Sequence, residues 1–233
     1  MSQNLKWWGI SAIVGGVLAC LLTPLMSIGY YQSYAIPAES PPFWFASVQP
    51  LVGFLFSFAD EKTAYSAYGR FFAVVYLLFL PGVLALHKLH EKAAPSRLEK
   101  IAYFLLVSAL VVSFFGVSGD YWGIKAGWTV ELLGMLFLQI ATTLYGIAVL
   151  RLKIVPRSIA IIMVASVPLC IISFLLFKQI PAAPSLPFAT VSLAAGFFIL
   201  KFCLEPRTTV MKGKAKLEKL PSNRNSKNIK KDE

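Results

Sequence analysis

The stretch GDYWGIKAGWTVELLGMLFLQIATTLYGIAVLRLKIVPR (residues 119–157) sets polar groups inside a run that favours hydrocarbon. Glu131, Gln139 and Thr142 lie within the apolar part, Asp120 and Trp122 just before it, and Arg70 opens an earlier apolar run. A carboxylate in such a run is costly to leave unpaired, and ionisable groups inside a membrane are functional candidates by default. With Glu131 at zero on a helix turning 100° per residue, Leu138 falls at about −20°, Thr142 at about +20°, Tyr145 at about −40° and Gln139 at about +80°. Gly134 and Gly146 share that side, while Leu133, Leu136, Ile140, Leu144 and Ile147 take the other. The polar and small side is expected to face other helices and the aliphatic side lipid.

Glu131, Gln139, Thr142, Asp120, Arg70 and Trp122 therefore form the candidate ligand contact. The carboxylates, the arginine and the aromatic residues suit a cation or the head group of an amphiphile, and Gln139 and Thr142 would continue the site inward. The competing reading of Glu131 is structural. It would reach interfacial water, benefit from the positive end of its helix dipole, or pair with Arg70 or Lys125. Asp60 and Glu61, in a long loop, would add carboxylates on the same side.

Catalytic patterns are missing. His87 and His90 stand three apart with no third ligand in view, so no metal centre is expected. There is no HExxH, P-loop, GxSxG or dinucleotide-binding glycine pattern. No catalytic residue and no cofactor are expected. Cys20, Cys170 and Cys203 sit in apolar runs without a CxxC and read as small buried side chains.

The elements that must position these groups follow from composition. Of 233 residues, 57% are hydrophobic and 14% charged, and the mean hydropathy is +0.68. Soluble domains have about 45–50% apolar and about 25% charged residues. Six runs, residues 7–28, 71–89, 101–119, 128–150, 158–177 and 186–204, approach the roughly 20 apolar residues that cross a bilayer. In hydrocarbon every backbone polar group needs an internal partner, so these runs are predicted helices. The first run is longer than a signal peptide's apolar core and is read as retained. Residues 43–58, FWFASVQPLVGFLFSF, are short for a span and carry Gln49 and Pro50 centrally. They are expected to form an interfacial or re-entrant piece of an outer loop.

Charge sets the expected orientation. With six spans, eighteen of the 22 Lys and Arg fall on one side, leaving Lys62, Arg70, Lys125 and Lys178 on the other. Excess Lys and Arg mark the cytoplasmic face, which predicts an all-α six-helix bundle with both termini cytoplasmic. The organisation is a membrane domain, residues 1–204, and a basic tail, 205–233, expected to be disordered and to attract anionic head groups. The net charge of +11 is concentrated beside membrane segments, which argues against nucleic acid as partner. Ser11, Gly15, Ala19 and Thr23 recur every four residues as a packing stripe, and Pro81 and Pro168 predict kinks. No internal repeat relates the first three runs to the last three, which weakens a transporter reading.

The segment TTLYGIAVLRLKIVPRSIAII (residues 142–162) resembles a junction in small uncharacterised bacterial multi-pass inner-membrane proteins. In these a helix ends in Leu-Arg, and a short basic turn closing on Pro-Arg starts the next. The resemblance implies a bacterial inner membrane and no activity. The expectation is a non-enzymatic membrane protein that binds a lipid or a partner protein within the bilayer. The alternatives are a small transporter or channel with a polar path along the fourth run, and an enzyme on the outer face using paired carboxylates.

Overall fold

The computed structural model describes residues 2–34, 39–91 and 96–204. The basic tail therefore lies outside the described residues. Among those described there are eight helices and no strand. Five are long and apolar enough to cross a membrane: α1 (Ser2–Ser33), α3 (Glu61–Glu91), α4 (Arg97–Tyr121), α5 (Gly127–Leu152) and α8 (Ala182–Leu204). The helices α6 (Arg157–Val164) and α7 (Ser166–Phe177) form a pair bent by 68°. This pair starts beside Leu150 and Phe198 at one end of the bundle. It finishes at the other end, where Trp44 Nε1 donates to the Leu176 carbonyl (2.8 Å) and Lys178 Nζ to that of Ser40 (3.0 Å). Running from one end of the bundle to the other, the pair makes a sixth span if it is taken as one.

The bend has a local cause. Pro168, third residue of α7, lacks an N–H, and its ring crowds the carbonyl four residues earlier. The carbonyl that Pro168 cannot serve is that of Val164, and the helix is interrupted at the next residue, Ala165. Pro81, by contrast, sits inside an uninterrupted α3, so the second expected kink produces no break. The helix α3 also begins ten residues before the apolar run. Asp60 Oδ1 accepts from the Thr63 N–H (3.1 Å), and a polar first section precedes the span. Ser96 caps α4 in the same way through the Glu99 N–H (3.2 Å).

Residues 43–58 contain α2 (Phe45–Leu55), whose 11 residues are too few to span. Its Val52, with Phe56, packs on Ile28 and Ala64, while Leu51 and Phe54 remain exposed. It lies at the bundle end where α1 finishes and α3 starts.

Packing follows the small residues. The helix α1 lies between α3 and α8, and α4 packs on α5. Ser11 Oγ donates to the Leu78 carbonyl (3.0 Å), and Ser192 Oγ to that of Ala12 (3.0 Å). The α4–α5 seam is tighter still. A Cβ on Gly116 would come within 2.5 Å of the Glu131 nitrogen, so only glycine permits this approach. Phe72, Tyr76, Phe79, Leu106, Leu138, Tyr145 and Phe188 fill the core between these seams.

Candidate functional site

Arg70, Asp120 and Trp122 converge where α4 ends and α5 begins. Tyr121 is the last residue of α4, and helix C-terminal carbonyls lack intrahelical partners and attract cations. Arg70 Nε donates to the Tyr121 carbonyl (3.2 Å), and its guanidinium lies 4.5 Å from the centre of the Trp122 ring. These residues border an open groove of about 590 Å³, with Tyr30, Tyr34, Tyr65 and Trp128 on its walls. A second groove of about 580 Å³ shares Tyr30, Tyr65 and Trp128 and extends to Glu39, Phe174 and Lys178. The two form one aromatic trough with acids and bases along its rim.

Glu131 is fully buried, and neither carboxylate oxygen has a hydrogen-bond partner among the described residues. The reason is its place on the seam, where its backbone presses on Gly116. It lies in electrostatic reach of Tyr65, Tyr76, Tyr121 and Asp120. The expected pairing with Arg70 or Lys125 is not formed among the described residues, because Arg70 is turned to the Tyr121 carbonyl and to Trp122. Nor does Glu131 reach interfacial water, since no part of it is accessible.

Gln139 and Thr142 are buried on the same face of α5, as the helical projection requires, but do not join the trough. Gln139 Nε2 donates to the Pro184 carbonyl (2.7 Å), and its Oε1 accepts from Ser166 Oγ. That amide ties α5 to α8 and to the broken start of α7. Thr142 Oγ1 donates to the Leu138 carbonyl of its own helix (2.6 Å). It stands about 16 Å beyond Glu131 along the axis.

Tyr65, Gln179 and Glu99 went unread in the sequence. Tyr121 Oη donates to Tyr65 Oη (2.9 Å), Gln179 Nε2 donates to Tyr65 Oη (3.2 Å), and Gln179 Oε1 accepts from the Ala182 N–H (3.1 Å). Tyr65, Tyr121 and Gln179 of this network line the trough, and Glu131 lies in electrostatic reach of the two tyrosines. A separate cluster lies at the opposite end. Glu99, fully buried, places Oε1 2.9 Å from His87 Nδ1 and 3.4 Å from His90 Nδ1, and His90 Nδ1 is 3.2 Å from Tyr145 Oη. His87 also stacks on Tyr103, ring centres 3.7 Å apart. Both imidazoles turn Nδ1 to one oxygen, a hydrogen-bonding arrangement. Among the described residues no group of three His, Cys, Asp or Glu is placed to hold a metal ion. The available signal was the short connection between α3 and α4, which makes them antiparallel neighbours and brings residues 87, 90 and 99 together.

Compared with protein-family models, with curated proteins and with solved structures, the chain finds no match.

Proposed function

We propose that this is a non-enzymatic multi-pass protein of a bacterial inner membrane, both termini cytoplasmic, that holds a lipid-like amphiphile in the aromatic trough. The observation that carries this reading is Glu131, a buried carboxyl with no hydrogen-bond partner among the described residues, in electrostatic reach of Tyr65 and Tyr121 of the trough. Such a group is stabilised when a cation approaches it. The faces of Tyr30, Tyr34, Tyr65 and Trp128 attract an ammonium group through their ring quadrupoles. Arg70 and Lys178 on the rim suit a phosphate. An amine-bearing zwitterionic head group meets both demands, and Phe174, Leu175 and Ile180 offer a path for its chain. The orientation rests on the asymmetry of Lys and Arg.

The test is mass spectrometry of lipids retained in native nanodiscs, wild type beside Glu131→Gln. Enrichment of an amine-bearing lipid in wild type and its loss in a folded variant is the expected result. Identical bulk lipid in both would overturn it.

A transporter or channel is the second reading. It is favoured by a second buried carboxyl, Glu99, near the far end of α5 beside Tyr145. It requires that Glu131→Gln abolish flux in proteoliposomes while the fold survives.

A further inference from the structure

At the end of the bundle opposite the trough, two grooves of about 840 Å³ and about 480 Å³ meet at Pro156 and Phe198. They run between the α5–α6 turn and the last turns of α8. Among the described residues, every charged residue lining them is a cation: Lys153 and Arg157 in the first, Lys201 in the second. Lys153 caps the C-terminus of α5, Arg157 is the first residue of α6, and Lys201 is in the last turn of α8. All three stand at helix ends. The apolar wall lies deeper, at Ile159, Phe197 and Ala194. Ala194 is seven residues before Lys201, about 10 Å towards the bundle centre. Positive charge at the helix ends with hydrocarbon below it complements one anionic lipid standing in a leaflet.

A second observation points the same way. Lys153 closes α5 with φ 55°, in the left-handed region. That position normally takes glycine, because a Cβ crowds the backbone there. Lys178 closes α7 with φ 48°, and there the side chain is engaged, donating to Ser40. Lys153, in the same backbone conformation, lines the basic groove.

We propose that this groove binds one anionic phospholipid, its phosphate among Lys153, Arg157 and Lys201 and an acyl chain along Phe197 and Ala194. Charge complementarity selects the occupant, and the apolar wall selects a lipid over a soluble anion. The site is distinct from the aromatic trough and stands whether or not that trough holds an amphiphile.

The test uses the delipidated full chain in native mass spectrometry, titrated with phosphatidylglycerol or with phosphatidylcholine of the same acyl chains. Wild type should prefer phosphatidylglycerol. Each cation lost should weaken that preference about fivefold, and the triple variant K153G/R157Q/K201Q by roughly a hundredfold. Phosphatidylcholine adducts should not change. Lys153→Gly alone relieves the left-handed strain, so it should melt at the same temperature or higher while losing selectivity. Inorganic phosphate should not displace phosphatidylglycerol. Absence of preference in wild type, full preference in a folded Lys153→Gly variant, or displacement by inorganic phosphate would each overturn the proposal.

Discussion

Replacing Glu131 by methionine should stabilise the protein. The side chains have similar volume, so the α4–α5 seam at Gly116 need not move. What changes is the polar end. Both carboxylate oxygens are buried without partners, and leaving a buried polar group unsatisfied costs about 1–3 kcal/mol. Removing it should return a similar amount, and for a chain of this length each kcal/mol shifts the melting temperature by roughly 2–4 °C. Glu131→Gln leaves polar atoms in the same place and should change stability little. The assay is thermal unfolding in lipid nanodiscs, followed by circular dichroism, on all three proteins. If Glu131→Met loses about 3–5 kcal/mol, the cost of stranding one member of a buried ion pair, the carboxylate has a partner and the reasoning fails. A stabilised variant that no longer retains amphiphile would mark Glu131 as a group kept for binding at the expense of stability.

Gly116→Val should destabilise by about 1–3 kcal/mol, because overpacking must push the α4 and α5 backbones apart. Gly53→Ala, where nothing lies within 4 Å of the added Cβ, should be neutral or gain up to about 1 kcal/mol. Chemical unfolding of both variants separates steric from propensity effects. Asp60 gives a pH signature. The Thr63 side chain and N–H hold its carboxyl below the usual 3.8. A depressed folded-state value means the cap is fully present above the ordinary value and is lost as pH falls through the lowered one. Protection factors at the start of α3, corrected for the pH dependence of intrinsic exchange, should therefore fall under acid, whereas Asp60→Ala should show the lower protection at every pH. Glu99→Leu should cost about 1–3 kcal/mol, because His87 Nδ1 loses its acceptor while His90 Nδ1 keeps Tyr145 Oη, and Glu99→Gln less because it keeps an acceptor oxygen. Thermal unfolding of the two variants checks this.

The membrane helices could be read from the sequence because lipid imposes one solution on any long apolar run. The rotation of α5 was equally legible. Glu131, Leu138, Thr142 and Tyr145 are buried, while Leu133, Leu136 and Ile140 are exposed. The projection depends only on helix geometry and on small residues seeking neighbours. Partners across helices were not legible. Arg70 and Glu131 look like a pair by charge and shared side, yet the Tyr121 carbonyl and the Trp122 ring capture the guanidinium. Gln139 looked available for a ligand, but the break before α7 places Ser166 against it. Nothing in the sequence singled out Glu99. Its burial follows from the packing of α3 on α4, which no single-helix projection contains.

The 68° bend between α6 and α7 divides one crossing into two short levers. Gln139 pins them near the fulcrum through Ser166. One lever carries Phe174 of the aromatic trough, and the other begins with Arg157 of the basic groove. A straight rod would transmit a tilt at one end to the other. A jointed one lets each half settle against its own leaflet. The proposed trough and the proposed basic groove therefore lie on opposite sides of this joint.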